Sequence, residues 1–209
     1  MIMNNLINKD ISNYYTKKIL EHGNSPQGVD WNGLDGQILR FKQLSKIIKK
    51  DSPFTLLDYG CGYGAYLDYL NTYHKAFQYH GLDLSAEMIK ASKKKFEDAI
   101  NCSFSLSSTD LSAFDFVIAS GIFNVKLHHS NVSWEKYIFN ILDEMDALSV
   151  KGFACNFLST YSDQSKQSAK LYYADPSLLF DYCKKTYSDN VILIDDYNLY
   201  EFTILVTKI

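Results

Sequence analysis

The most constraining feature of this chain is a glycine-rich turn between a hydrophobic run and a helical pattern. Residues 56–58 lead through Gly60, Gly62 and Gly64 into an amphipathic segment that begins at Ala65. Glycine lacks a Cβ and adopts positive φ readily, so the turn can be tight and can present backbone N–H groups at a helix N-terminus. The pattern predicts an open α/β sheet with a ligand crevice at the carboxyl ends of its strands.

Around this turn, short apolar runs alternate with longer amphipathic segments, as is typical of βα units in a parallel sheet. The last two apolar runs are separated by only a few residues, which favours an antiparallel hairpin. Gly23 and Gly152 are predicted to end helices, whereas Ser85 and Asp175 are predicted helix N-caps. We predict helices over residues 12–22, 34–50, 65–73, 86–96, 133–148 and from 176 onward, and strands over residues 54–58, 78–84, 102–106, 114–120, 153–158, 191–195 and 201–207.

Length and charge narrow the class of protein. The 209 residues, 46% of them hydrophobic, suit a single domain over residues 1–209. Lys and Arg number 21 against 24 Asp and Glu, so the net charge is −3 and there is no basic surplus to neutralise nucleic-acid phosphates. No run approaches the roughly 18 apolar residues of a membrane span, and the Asn-rich N-terminus is unlike a signal peptide. We therefore expect a cytoplasmic protein with neither nucleic-acid nor membrane partners.

The cysteines do not form a recognisable framework. Cys61, Cys102, Cys155 and Cys183 are spread through apolar surroundings without a CxxC pair. This spacing predicts free thiols, and it predicts neither disulfides nor a metal site.

Two carboxylates near the glycine turn indicate the kind of ligand. Gly60, Gly62 and Ala65 match the G-x-G-x-x-G/A dinucleotide fingerprint, which leaves an NAD-dependent oxidoreductase open. Asp58, however, can bind an ammonium group and would repel a pyrophosphate. Asp83, at the end of the second predicted strand, can grip ribose hydroxyls. Together they suit S-adenosylmethionine (SAM) better than NAD. A module that binds this cofactor without turnover is the non-enzymatic alternative.

Three segments of the sequence resemble a known family. Residues 57–64 (LDYGCGYG) resemble the first motif of class I SAM-dependent methyltransferases, residues 81–88 (GLDLSAEM) the segment after it, and residues 114–121 (FDFVIASG) the fourth-strand motif. The resemblance covers about residues 24–209. It implies a Rossmann-like three-layer α/β sandwich with a mostly parallel seven-stranded sheet, order 3-2-1-4-5-7-6 and an antiparallel last strand. It also implies a helical N-terminal lid, which we place at residues 1–50 over a core of residues 51–209.

The resemblance further implies a methyltransferase with SAM as cofactor and S-adenosylhomocysteine (SAH) as product. We expect a small-molecule or carbohydrate-like acceptor, such as a surface-polysaccharide precursor, methylated at oxygen. Many relatives hold the adenine amino group with a Gly-Asp after the third strand. Here Ser107-Ser-Thr-Asp110 stands in that region, and Asp110 is the candidate. The other expected cofactor contacts are Gly28, Arg40, Asp58, Gly60, Cys61, Gly62, Asp83, Leu84, Met88 and Ser120.

A hydroxyl acceptor requires a base within about 3 Å of its proton. His128 and His129 follow the fourth predicted strand, and Tyr161 and Tyr173 follow the fifth, so these four are the candidate catalytic residues. Arg40 is the one arginine in the chain, and its guanidinium suits bidentate binding of a carboxylate. We expect it to bind the cofactor carboxylate or to anchor the lid, with a structural salt bridge as the alternative.

Overall fold

One sheet of seven strands lies at the centre of the protein. The computed structural model describes residues 2–48 and 53–208. The strands are Phe54–Tyr59 (β1), Phe77–Leu82 (β2), Cys102–Ser105 (β3), Phe114–Ala119 (β4), Ser149–Leu158 (β5), Val191–Ile194 (β6) and Glu201–Thr207 (β7). Their order is β3-β2-β1-β4-β5-β7-β6. The first five strands pair in parallel, and β7 is antiparallel to both β5 and β6. The predicted fold class is confirmed.

Helices cover the sheet and extend it at the N-terminus. They are Ile2–His22 (α1), Leu34–Leu44 (α2), Ala65–Tyr73 (α3), Ala86–Lys95 (α4), Asn131–Leu148 (α5) and Pro176–Thr186 (α6). The predicted caps are confirmed, since Ser85 accepts from the Met88 N–H and Asp175 accepts from the Ser177 and Leu178 N–H groups. Gly23 follows α1 with φ 64°, as a helix-ending glycine does.

The N-terminal helices differ in length from the prediction. α1 begins ten residues before residue 12, because Ile7 and Ile11 continue the apolar stripe of Ile19 at four-residue spacing and are buried. α2 ends at Leu44 and passes into a 3₁₀ turn, Ser45–Ile47. The predicted end of this helix at residue 50, and with it the boundary between lid and core, lies outside the described residues.

Gly152 does not end α5, which corrects the prediction. The helix ends at Leu148, and Gly152 lies inside β5 with φ 143°. At this point β5 pairs with β7, and a Cβ on Gly152 would collide with the Val206 carbonyl oxygen. The glycine is therefore required by the close approach of two strands, next to an irregularity in the β4–β5 register.

The buried residues lie on both faces of the sheet. β1 is buried along most of its length, as expected for a central parallel strand covered by helices on both sides. The four cysteines are free thiols, as predicted, and Cys61, Cys155 and Cys183 are buried. Within residues 2–48 and 53–208, no helix has the length and apolar character that crossing a bilayer requires.

Candidate functional site

The turn after β1 and the carboxylate of Asp83 form one hydrogen-bonded unit. Asp83 Oδ2 accepts from the Gly62 N–H at 2.9 Å, and Oδ1 accepts from the Ser85 N–H at 2.8 Å. The two oxygens of a carboxylate together offer about four acceptor positions, so Asp83 keeps acceptor capacity for ligand hydroxyls beside these N–H groups. Asp83 lines a cleft that we call the loop cavity. Gly60, Gly62 and residues of α1, of α4 and of the segment after β4 also line it.

Two positions of the turn require glycine because of their backbone conformation and the side chains packed against them. Gly60 and Gly62 have φ values of 83° and 55°, in the left-handed region that favours glycine. A Cβ on Gly62 would lie 2.8 Å from Val29 Cγ1, and one on Gly60 would collide with Ile122. Both neighbouring side chains line the loop cavity. Glycine at these two positions therefore lets Val29 and Ile122 pack closely against the turn.

Asp58 lies at a smaller cavity beside the turn, which we call the inner cavity. The carboxyl is buried, and its Oδ2 accepts from the Tyr79 hydroxyl at 2.7 Å. The inner cavity is also lined by Gln37 and Ser120. Gln37 Oε1 and Ser120 Oγ are buried and have no hydrogen-bond partner. Buried polar atoms are normally paired, so this cluster of oxygens indicates a ligand that donates hydrogen bonds.

The two cavities adjoin each other. Five residues line both of them: Val29, Trp31, Gly60, Gly62 and Ser120. Asp58 and Asp83 therefore stand at the two ends of one lined region, and the charge of Asp83 lies near enough to raise the pKa of Asp58. A ligand with a cation at one end and hydroxyls at the other fits this arrangement.

Burial shifts the pKa of both carboxyls upward. Desolvation raises the pKa of Asp58 to about 7, against the opposing hydrogen bond from Tyr79 and with a further upward contribution from the charge of Asp83. Desolvation also raises the pKa of Asp83 to about 6, although N–H groups of Ser85, Gly62 and Leu84 favour its ionised form. Such paired shifts are typical of functional sites.

The stability of the ligand-free protein should consequently fall as the pH rises. A carboxyl whose folded pKa lies above its unfolded value, 3.8 for Asp58, binds more protons in the folded state, so its stabilising contribution is lost between about pH 4 and pH 7. In Asp58→Asn this loss should be smaller, because only the contribution of Asp83 remains. Denaturant unfolding at several pH values measures it, and a free energy of unfolding with the same pH slope in both proteins would contradict the assignment.

α1 forms the roof of the loop cavity. Ile11, Ser12 and Tyr15 line it from above. The helix is fastened to the turn after β2, because the Ser12 hydroxyl donates to the Leu84 carbonyl at 2.9 Å and the Thr16 and Ser85 hydroxyls are 2.6 Å apart. The lid therefore contacts the same turn that positions Asp83.

A third cavity, which we call the outer cavity, opens on the other side of Trp31 and has a volume of about 600 Å³. It shares Tyr15, Val29, Trp31 and Gly121 with the loop cavity. Its size is within the range of small-molecule sites. The charged and amide side chains that line it are Asp30, Asn32, Asp35, Arg40, Asn124 and Glu201.

Arg40 binds a carboxylate of the protein itself, which corrects its assignment to the cofactor. Its Nε donates to both carboxylate oxygens of Glu201, at 2.8 and 3.0 Å, and its Nη2 also contacts Glu201. The guanidinium lies 3.9 Å from the centre of the Trp31 ring. Asn156 donates to Glu201 at 2.8 Å and accepts from the Gly121 N–H. Arg40 thus forms a salt bridge between α2 and β7, the structural alternative that the sequence left open.

Other predicted contacts fall partly inside the cavities. Cys61 lines the inner cavity, Leu84 and Met88 line the loop cavity, and Ser120 lines both. Gly28 is not among the lining residues. It lies in the 3₁₀ turn Pro26–Val29, where a Cβ would collide with the Gly23 carbonyl oxygen, so its role is to let this turn pack against the end of α1.

Three candidate residues lie outside the three cavities. Asp110 is exposed in the loop after β3, so the structure does not support its assignment to the adenine. Tyr161 is 74% exposed after β5. The Tyr173 hydroxyl accepts from the Ser168 N–H at 3.0 Å and lies in a separate surface depression. Neither tyrosine is placed to act on a ligand of the loop cavity.

His128 and His129 also lie apart from the three cavities, so the structure does not support them as the base. Both imidazoles face Asp10 of α1, with Nε2 to Oδ2 distances of 3.6 and 3.1 Å. The His129 ring is stacked on Trp134. The two histidines connect the loop after β4 to the lid.

Sequence reasoning missed several residues of the site. Tyr15 lines both the loop and outer cavities, and Gln37 supplies an unpaired oxygen to the inner cavity. Tyr15 could have been found from the four-residue spacing of Ile7, Ile11 and Ile19, which places it on the same face of α1. Gln37 and Glu201 carried no local signal, because their positions depend on how the lid meets the sheet.

Comparison with known proteins shows the family to which this chain belongs. A family model described as a methyltransferase domain matches residues 56–145. A Mycobacterium tuberculosis protein that is named as a methyltransferase, Rv1506c, is 46% identical over 163 residues, which span 78% of this chain and 98% of that protein. The chain belongs to the SAM-dependent methyltransferase family.

Solved structures share the fold at low sequence identity. The DhpI–SAH complex aligns with a TM-score of 0.64 and 12% identity over 95% of each chain. Magnesium protoporphyrin IX methyltransferase from Synechocystis PCC 6803, with bound SAH, aligns with a TM-score of 0.58 and 12% identity over 83% of this chain and 81% of that one. The [4+2]-cyclase SpnF aligns at 0.54 and 16% identity, over 74% of this chain and 58% of that one. Fold likeness alone therefore does not fix the reaction.

Proposed function

We propose that this protein binds SAM between Asp58 and Asp83 and transfers its methyl group in line to a hydroxyl oxygen of a small, carbohydrate-like acceptor. The observation that carries the proposal is the cluster of unpaired oxygens in the inner cavity, next to the glycine turn and Asp83. SAM supplies an electrophilic methyl group on a sulfonium when it is bound. The residues named below position the two reactants.

The inner cavity suits the amino group of the cofactor. An ammonium has three N–H donors, and Asp58, Gln37 Oε1 and Ser120 Oγ offer three oxygens around one small cavity. At the other end, Asp83 has acceptor positions for the two ribose hydroxyls. Positioning of this kind is the main requirement of an in-line displacement, because correct orientation is worth about 7–11 kcal/mol of a barrier.

The outer cavity is the proposed acceptor site, since it adjoins the loop cavity across Trp31 and Gly121. Its carboxylates favour acceptors rich in hydroxyl donors and disfavour anions. Asp30 binds Lys18 at 2.6 Å and Glu201 binds Arg40. Among the described ion pairs of this cavity, none includes Asp35, so we assign the proton-accepting role to Asp35 in place of the histidines.

The NAD alternative is disfavoured by charge. Among the described residues, those that line the loop and inner cavities include Asp58 and Asp83 and no Lys, Arg or His. A pyrophosphate in this place would meet two carboxylates without a neutralising cation, and like charges at short range in a buried site are strongly unfavourable. The same carboxylates are favourable for a sulfonium nucleoside.

Calorimetry and a product assay test the proposal together. The protein should bind SAH with micromolar or tighter affinity and should not bind NAD. Incubation with SAM and pools of neutral sugars or nucleotide sugars should yield a product 14 Da heavier. Asp35→Asn should lower kcat by about 10²-fold or more, the contribution typical of a general base, with SAH affinity unchanged.

The controls separate the possible failures. Asp98→Asn, at an exposed position in the turn after α4, should retain full turnover. SAH binding without methylation of any acceptor would favour the binding module over the enzyme. Full turnover in Asp35→Asn would overturn the assignment of the base, and absence of SAH binding by folded protein would overturn the proposed function.

A further inference from the structure

The loop between β4 and α5 carries two adjacent histidines, and α1 places a carboxylate against both. Asp10 Oδ2 lies 3.1 Å from His129 Nε2 and 3.6 Å from His128 Nε2. One ligand atom from each of the three residues lies within 4.8 Å of the others. The sequence spacing predicted no metal site, because Asp10 is more than a hundred residues distant along the chain and only the fold brings it to the histidines.

These separations suit coordination of one ion. Zinc binds imidazole nitrogen at about 2.0–2.1 Å and carboxylate oxygen at about 2.0–2.2 Å. Tetrahedral ligands at such distances are roughly 3.3–3.5 Å apart, which lies between the two measured values. The distances from Asp10 to the two imidazoles therefore already lie within a few tenths of an ångström of those in a tetrahedral site.

The state of His129 provides a second and independent observation. Its side chain is 9% exposed, and its Nε2 makes no hydrogen bond although it points toward Asp10. An unpaired polar atom in a buried position is unfavourable, and a metal ion would satisfy it. The His129 ring is held in place by stacking on Trp134. The backbone of the same turn is fixed by Lys126, whose ammonium donates to the His129 carbonyl at 3.3 Å.

We propose that Asp10, His128 and His129 bind a divalent transition-metal ion of the Zn²⁺ type. Two imidazoles and one carboxylate form a donor set that favours Zn²⁺, Ni²⁺ or Co²⁺ over Mg²⁺ and Ca²⁺, which prefer oxygen. His128 is 73% exposed, so water completes the coordination shell from the solvent side. The site lies outside the loop, inner and outer cavities, and its role is to join the lid to the core.

The ion would act on the lid through α1. The helix carries Asp10 one position before Ile11, which roofs the loop cavity together with Tyr15. An ion that fixes Asp10 to the loop after β4 thus favours the closed position of the roof. Insofar as SAM binds below that roof, which rests on the proposed function, metal and cofactor should each tighten binding of the other by the same factor.

Metal titration of the untagged full chain tests the site directly. After treatment with EDTA and dialysis, calorimetry with zinc chloride should show one ion per chain with a dissociation constant of about 10 µM or lower, and the melting temperature should rise. His128→Gln, at an exposed position that leaves the fold intact, should weaken binding at least tenfold, as should Asp10→Asn. Co²⁺ should give the visible absorption of a site that contains nitrogen ligands.

The control is His22→Gln, which removes an exposed imidazole from the same helix. It should bind zinc as the wild type does. Equal zinc affinity in wild type, His128→Gln and Asp10→Asn, or no binding to the wild type, would overturn the proposal. Because the readout contains neither SAM nor an acceptor, failure here leaves the proposed function untouched, and failure of SAH binding leaves the metal site untouched.

Discussion

Replacement of Asp83 by Asn should weaken SAH binding by at least about 100-fold. The side chain is proposed to accept two hydrogen bonds from ribose hydroxyls, and hydrogen bonds to a charged group contribute about 1.5–3 kcal/mol each. A change of 1.4 kcal/mol in binding free energy corresponds to a tenfold change in affinity. Loss of both hydrogen bonds should therefore weaken SAH binding by at least about 100-fold. Isothermal titration calorimetry at pH 8, above the pKa values of both Asp58 and Asp83, measures the effect.

Asp83 also holds the turn, so its variant requires a structural control. The Gly62 and Ser85 N–H groups lose part of their acceptor in Asp83→Asn, and the melting temperature shows whether the turn remains folded. Asp110→Asn is the matched variant, because this exposed carboxylate was predicted from the sequence as a cofactor ligand and lies outside the cavities. It should bind SAH as the wild type does. Affinity within threefold of wild type in folded Asp83→Asn would refute the ribose contact.

Glu201→Ala should destabilise the protein by about 3–5 kcal/mol. The Arg40 and Glu201 side chains are 11% and 2% exposed, and removal of one partner of a buried ion pair leaves the other charge uncompensated. The Asn156 amide also loses its acceptor. For a chain of this length, each kcal/mol corresponds to about 2–4 °C, so the melting temperature should fall by roughly 10 °C.

Two control variants test whether loss of the Arg40–Glu201 ion pair causes the destabilisation. Glu97→Ala removes an exposed carboxylate and should change stability by less than about 0.5 kcal/mol. Glu201→Gln keeps an acceptor for Asn156 and should be less destabilised than Glu201→Ala. If Glu201→Ala melts within 2 °C of the wild type, the link between lid and sheet carries little of the stability, and Arg40 would be available for another partner.

The central part of the fold was predictable because its signals are local. The run into the glycine turn, the Ser85 and Asp175 caps and the closing hairpin each depend on a few neighbouring residues, and the structure confirms all of them. The positions of Asp58 and Asp83 follow from the same logic, since strand ends of a parallel sheet meet at one edge. The prediction of Gly152 was wrong because the close approach of β7 requires this glycine, and β7 is distant in sequence.

The parts of the site that involve the lid were not predictable in the same way. A guanidinium suited to a carboxylate could be recognised in Arg40, but the identity of the carboxylate, Glu201, depends on the packing of α2 against the sheet. His128 and His129 were recognised as chemically capable, yet the arrival of Asp10 opposite them depends on α1. In each case the residue type was informative and the partner required tertiary structure.

The central claim is that two carboxylates flanking a bare-backbone turn hold opposite ends of SAM. A crystal structure of the protein soaked with SAH tests it most directly. The account predicts ribose hydroxyls within hydrogen-bond distance of Asp83 and the amino group surrounded by Asp58, Gln37 and Ser120. SAH bound with its ribose away from Asp83, or an inner cavity that holds no part of the ligand, would contradict it.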